Sequence, residues 1–357
     1  MRSLAIFAAA AVLAGCAAPT PPVGAADSGA ADAGALDAGA VDAGPLDAGP
    51  ADAGPGSAAD GGWVSGARVW RSVEGGRYEL YVPTSFDGTA RPLVVMLHGC
   101  TQDPNDFAKG TQMDVLAERE DFVVAWPEQP ASANAYRCWN WYLPADQARG
   151  AGEPAFLARV VADVQGVLPV DARRIYAAGL SAGAAMAVTL GATYPDLFAA
   201  VASHSGVEYA AATDASSALT VEIYGATDPV GHGDLAYAAM GAAAREVPVL
   251  IIQGSADTTV NPNNATALVG QWAQTDTRAG GSVTTTSPDA ETLTVNGLSY
   301  TRSQYLDAQT GATAIELYQV AGLGHAWMGG DPYGTYTDSR GPSASELVWG
   351  FFAAHPK

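Results

Sequence analysis

The sequence predicts an α/β fold in which a mostly parallel central sheet is flanked by helices on both faces. Three observations carry this reading. From residue 63 onward, short apolar runs bounded by turn residues alternate with longer helical patterns, the signature of repeated βαβ units. The 295 residues from 63 to 357 suit one such domain. Finally, Gly179-Leu-Ser-Ala-Gly183 stands between a short apolar run, Arg174 to Ala178, and a small-residue run, Ala184 to Leu190, so a strand passes into a helix through a tight turn.

The elements follow in order. Arg77 to Val82 reads as an early strand and Pro92 to Leu97 as a core strand. Pro104 to Glu120 contains a helix with Phe107, Met113 and Leu116 inward and Val115 as a further inward candidate. Phe122 to Trp126 is a strand stopped by Pro127, and Pro154 to Leu168 is a helix with proline at its start. Ala199 to Ser203 and Pro248 to Ile252 are later core strands. Between them, Glu208 to Glu246 is rich in Ala and Gly with few strong signals, and in this architecture it would be a cap region. Asn261 to Thr277 and Ser343 to Ala354 read as late helices. Thr284 to Gln319 alternates β-branched and aromatic residues as hairpin strands do, and Ala314 to Val320 is the last apolar run.

A G-x-S-x-G sequence in a strand–turn–helix context is a nucleophile elbow. The turn strains the serine backbone and exposes its hydroxyl, and the flanking glycines let strand and helix approach. Ser181 is therefore the candidate nucleophile; without its flanks the pentapeptide would be an ordinary small-residue turn. Asp257 sits in the loop just past the Pro248 to Ile252 strand and is the candidate acid, with Asp228 as a weaker rival because no comparable apolar run precedes it. Of five histidines, His325 follows the last strand in a glycine-crowded loop, Gly322-Leu-Gly-His-Ala-Trp-Met-Gly-Gly330, and is the candidate base. The order Ser, acid, His is that of the α/β-hydrolase fold. The backbone N–H groups of Ala182, after the serine, and Cys100, after the Pro92 to Leu97 strand, are the candidate oxyanion-hole donors, a feature that contributes about 3–4 kcal/mol to transition-state stabilisation. The set is that of acyl transfer: His325 takes the serine proton, Ser181 attacks a carbonyl, Asp257 holds the imidazole tautomer, and water cleaves the acyl-enzyme.

Leu97-His-Gly-Cys-Thr-Gln102, Cys138-Trp-Asn-Trp-Tyr142, Gly179-Leu-Ser-Ala-Gly183 and Gly324-His-Ala-Trp327 together resemble the esterase family of polyhydroxybutyrate depolymerases, which also includes relatives of feruloyl and acetylxylan esterases. The resemblance runs from about Val69 to Phe352. It implies catalytic Ser181, Asp257 and His325, Cys100 as an oxyanion donor, and substrate-side roles for Trp139 and Trp141. Met328 departs from the pattern, where a small polar residue is expected. No C-terminal substrate-binding module or Thr- or Ser-rich linker is found, which argues against digestion of crystalline polymer. No cofactor is implied, and no metal cluster, phosphate loop or dinucleotide motif stands in the sequence.

The N-terminus reads as a processing segment. Arg2 precedes an apolar run from Leu4 to Leu13, too short to span a bilayer. Leu13-Ala-Gly-Cys16 resembles a lipobox, so residues 1–15 are expected to be a lipoprotein signal and Cys16 the lipidated first residue; plain secretion with cleavage near Ala18 is the alternative. Residues 17–62 repeat Asp-Ala-Gly units that bury no core and read as a disordered tether of roughly 40 Å average span. Cys100 and Cys138 then remain as an even pair in an exported domain, which reads as a disulfide, and both lie in family motifs at the expected site. Residues 1–62 hold seven Asp against one Arg, so −14 of the chain's net −20 falls on the domain. That balance argues against nucleic acid as a partner.

The expected activity is exported, lipid-anchored hydrolysis of short-chain hydroxyalkanoate esters. Alternatives are a feruloyl or acetylxylan esterase, a serine peptidase of the same fold, and a non-catalytic surface binding protein. The oligomeric state is open.

Overall fold

The computed structural model describes residues 63–284 and 290–357. Cys16, the signal segment and the Asp-Ala-Gly repeats lie outside the described residues.

Ten strands form one sheet in the order β1-β2-β4-β3-β5-β6-β7-β10-β9-β8. The first are β1 (Arg68–Val73), β2 (Gly76–Tyr81), β3 (Arg91–Leu97), β4 (Val123–Pro127) and β5 (Val170–Leu180). Then come β6 (Ala200–His204), β7 (Val249–Gly254), β8 (Ala290–Val295), β9 (Leu298–Leu306) and β10 (Thr313–Val320). The run β4-β3-β5-β6-β7-β10 is parallel throughout, and the two edges are antiparallel hairpins. Strands buried on both faces must be apolar at every position, and β3 reads Leu93-Val-Val-Met-Leu97. Its alternate residues enter different cores. Leu93, Val95 and Leu97 pack with α3 (Gly152–Val167), α4 (Ala182–Thr193) and α7 (Asn263–Arg278), while Val94 and Met96 pack with α1 (Pro104–Thr111), α2 (Met113–Glu120) and α8 (Ala344–Ala354). The expected mostly parallel sheet between two helical layers is therefore present.

Several elements differ from expectation. β1 precedes the anticipated first strand and pairs with β2 across a Glu74-Gly75 turn, where Gly75 takes φ 99°. The 104–120 helix is two helices, broken at Gln112, whose left-handed φ of 55° ends one and starts the other. The break turns Val115 outward, leaving it 64% exposed. The 208–246 stretch holds two helices, α5 (Ala215–Tyr224) and α6 (Pro229–Met240). Their Ala and Gly content hides any apolar stripe, so their signals are local: Asp214 and Ser217 form a reciprocal capping box, and Asp228 caps α6 ahead of Pro229.

Candidate active site

β5 ends at Leu180, α4 begins at Ala182, and Ser181 between them has φ 58° and ψ −122°. A non-glycine residue there is strained by about 1–3 kcal/mol, which the surroundings must impose. The glycines make the geometry possible. A Cβ at Gly183 would collide with the carbonyl oxygens of Leu97 and His98, and one at Gly179 with the Gly183 backbone. The Ser181 N–H donates to the His204 carbonyl of β6 at 3.0 Å, which fixes the turn to the neighbouring strand.

Asp257 follows β7, and His325 follows β10. His325 Nδ1 lies 2.8 Å from Asp257 Oδ2. Gln253 donates to the same oxygen at 3.2 Å, and Oδ1 accepts the N–H groups of Thr259 and Val260, both at 2.9 Å. Burial opposes the charge of Asp257, but the hydrogen bond and charge of His325 and the two backbone donors outweigh it and hold the carboxyl below its ordinary range. With Nδ1 donating to an ionised carboxylate, Nε2 is the basic nitrogen. A Cβ at Gly254 would strike the Leu323 and Gly324 carbonyls, so only glycine lets these two loops meet. β5 and β7 both flank β6, so Ser181 and Asp257 leave the sheet about 10 Å apart on the same edge. Asp228 is engaged elsewhere, accepting the Gly231 N–H at 3.0 Å as a helix cap.

Beyond β3 the chain turns through His98, Gly99, Cys100 and Thr101. A Cβ placed on Gly99 would lie 3.6 Å from Ser181 Cβ, so this loop runs alongside the serine. Cys100 is disulfide-bonded to Cys138, with Cα atoms 4.2 Å apart. Ala182 is the first residue of α4, where an N–H has no partner within the helix and is available to an anion. His98 is buried and neutral: burial pushes it down to about 4, against its bond to the Gly99 carbonyl. Its Nε2 accepts the Gln129 N–H at 3.1 Å, so Nδ1 carries the proton given to Gly99 O at 2.8 Å.

Trp139 and Trp141, expected at the substrate, are instead 0% and 3% exposed. Trp139 donates from its indole nitrogen to the His98 carbonyl at 3.1 Å, and Trp141 packs edge-on against Tyr142. They are core supports behind the Cys100 loop, because the disulfide and the Glu153 hydrogen bonds to Asn140 fold their segment inward. Met328, the departure from the family pattern, is also fully buried and contributes its backbone.

Three residues near the site had no assigned role in the sequence. His204 receives the Met328 N–H at Nε2 and stacks on Trp327. Gln102 accepts the Gly99 N–H at 2.9 Å and donates to the Thr335 carbonyl at 3.0 Å, joining the Cys100 loop to the chain near residue 335. Tyr336 touches both His325 and Thr101. Gln102 lies inside a quoted motif and could have been singled out there; nothing local marks Tyr336. The 208–246 stretch reaches the segment after Asp257: Asn261 and Asn264 donate to the Glu222 and Val221 carbonyls, which holds the end of α5 there. Among the described residues, no group of three or more His, Cys, Asp or Glu side chains could hold a metal ion. No described helix is long and apolar enough to cross a membrane.

Residues 76–289 match the model of the family described as esterase PHB depolymerase. The chain belongs to this family. Among similar members, poly(3-hydroxyalkanoate) depolymerase C of Paucimonas lemoignei is 34% identical over 247 residues, covering 69% of this chain and 57% of that protein. Feruloyl esterase B of Thermothelomyces thermophilus is 32% identical over 211 residues, covering 54% of this chain and 68% of that one. The match thus spans between about half and two thirds of these relatives' lengths. An acetyl xylan esterase from Aspergillus awamori has a similar fold, with a TM-score of 0.66 at 21% identity, covering 81% of this chain and all of that one. The α/β-hydrolase fold of this esterase family accounts for the sheet, the elbow and the order of the loops.

Proposed function

We propose that this chain hydrolyses carboxylic esters through Ser181, His325 and Asp257. The observation that carries the reading is the 2.8 Å pair of His325 and Asp257 on loops at the same sheet edge as a strained Ser181. His325 Nε2 takes the serine proton as Oγ attacks the carbonyl. The N–H groups of Ala182 and Cys100 stabilise the oxyanion, and the imidazolium returns its proton to the leaving alcohol. Water then repeats the cycle on the acyl-enzyme. Asp257, ionised and held by four donors, keeps the imidazole in the working tautomer.

Short-chain hydroxyalkanoate oligoesters are the proposed substrates, supported by the 34% identity to a poly(3-hydroxyalkanoate) depolymerase. Feruloyl or acetyl esters of plant polysaccharide are the second reading, supported by the feruloyl esterase at 32% identity. A lipid anchor at Cys16 and a tether over 17–62 would hold the enzyme at the cell envelope. The experiment is a panel of hydroxybutyrate oligomers, feruloylated xylan and acetylated xylan, run on wild type and Ser181→Ala. Turnover of the oligomers above both xylans, lost in Ser181→Ala, is expected. Preference for either xylan would select the second reading. No ester turnover at all would leave a non-catalytic binding protein.

A further inference from the structure

Tyr336 stands between the base and the loop beside the serine. Its ring meets the His325 imidazole edge to face, with centroids 6.2 Å apart. Its hydroxyl lies 3.2 Å from Thr101 Oγ1. The Thr101 hydroxyl already donates to the Cys100 carbonyl at 2.6 Å, so Tyr336 is the donor to Thr101. A chain of hydroxyls thus runs from a side chain packed on the base to the residue whose N–H is assigned to the oxyanion.

The placement is imposed. Thr101 has φ 65° and Tyr336 φ 50°, left-handed values that neither residue adopts freely. Thr101 is held by its N–H donating to the Tyr136 carbonyl at 2.6 Å, and Tyr336 by its carbonyl accepting the Trp327 N–H at 2.7 Å. Thr335, just before, is held by Gln102 and by Asp106, which accepts its N–H at 3.0 Å. Yet Tyr336 remains 45% exposed. This is an aromatic ring set nearly perpendicular to the imidazole, with much of its surface open to solvent.

We propose that Tyr336 forms the wall of the ester site on the side of the leaving alcohol, and that its hydroxyl positions the oxyanion loop through Thr101. The inference rests on the proposed triad. The imidazolium must hand its proton to the leaving oxygen, so the first carbons of the alcohol pass close to His325. A ring packed against that imidazole is then in van der Waals reach of them. Ring and hydroxyl therefore act separately, the first on alcohol preference and the second on turnover.

Two substitutions divide these roles. Tyr336→Phe keeps the ring and removes the hydroxyl; kcat is expected to fall about tenfold on every ester with KM and melting temperature unchanged. Tyr336→Ala removes both. Two butyrate esters sharing one acyl group, the methyl ester and the ester of methyl 3-hydroxybutyrate, compare alcohols only when butyrate release is followed. In the Ala variant the ratio of kcat/KM, larger alcohol over methanol, is expected to fall by at least about fivefold relative to wild type. An unchanged ratio in the Ala variant, or an unchanged kcat in the Phe variant, would overturn the corresponding half. If the Ala protein does not fold, Tyr336→Leu carries the same ratio test with bulk but no ring. Fluorophosphonate labelling of Ser181 is measured in parallel. Wild type labelled at Ser181 with unchanged ratios sinks the Tyr336 role alone, while wild type unlabelled at Ser181 sinks the triad and this role with it.

Discussion

The N–H of Met328 donates to Nε2 of His204 across 3.2 Å, and the carbonyl of that histidine accepts the Ser181 N–H at 3.0 Å. One buried residue on β6 therefore ties the loop of His325, through its imidazole, to the turn of Ser181, through its carbonyl. Burial, with the charge of His325 next, pushes His204 down to about 3, so the ring is neutral, as an acceptor for Met328 requires. His204→Ala would leave that N–H unpaired and a cavity beneath Trp327. A loss of about 2–4 kcal/mol in stability is expected, with a fall in kcat from a displaced His325 loop. Urea unfolding and ester kinetics on the variant check this, and unchanged values in both would show that His204 holds neither loop.

Reduction of Cys100–Cys138 should weaken the domain. The two residues are separated by 38 positions, for which loop-closure entropy gives about 4 kcal/mol. The bond also ties the Cys100 loop to the buried Trp139 segment. Melting in the presence of reductant, with alkylation proving that both thiols are free, should show a lower transition and reduced turnover. Identical melting before and after complete reduction contradicts the assignment.

Glu153 gives the fold a pH dependence. Its carboxyl accepts the Asn140 N–H and Asn140 Nδ2, both at 2.7 Å, and a bond from Gln129. Burial first, and then the Asp146 carboxylate, raise it to about 8 against these hydrogen bonds. In the unfolded chain the group titrates near 4.5. Between those values the folded protein keeps a proton that the unfolded chain has released, so this contribution is complete below the lower value and is lost as pH rises toward the upper one. Denaturant unfolding of wild type and Glu153→Gln from pH 5 to pH 8 tests it. Wild type should lose stability relative to the variant as pH rises; parallel curves would mean the carboxyl titrates normally.

What could be reached from sequence followed from strand ends. Ser181, Asp257 and His325 each stand just past an apolar run, and such runs become parallel strands whose ends share one edge. Burial of loop residues was not reachable in that way. Trp139 and Trp141 flank Asn140 in a loop-like stretch ending at Pro144, which suggests aromatics facing substrate; the disulfide and the Asn140 hydrogen bonds to Glu153 turn that stretch inward. The helix break at Gln112 hides because a non-glycine residue takes the left-handed conformation there. α5 and α6 hide because alanine suits both faces of a helix. Tyr336 hides because its partners, Thr101 and His325, lie 235 and 11 residues away.

Ester hydrolysis through Ser181 passes through an acyl-enzyme on that residue. The most direct measurement is rapid acid quench of the protein during turnover of a p-nitrophenyl butyrate ester, followed by peptide mass spectrometry. Butyryl mass is expected on the peptide carrying Ser181 in wild type and none in Ser181→Ala. Butyryl mass on another residue, or a Ser181→Ala protein retaining more than about a tenth of wild-type turnover, would contradict it.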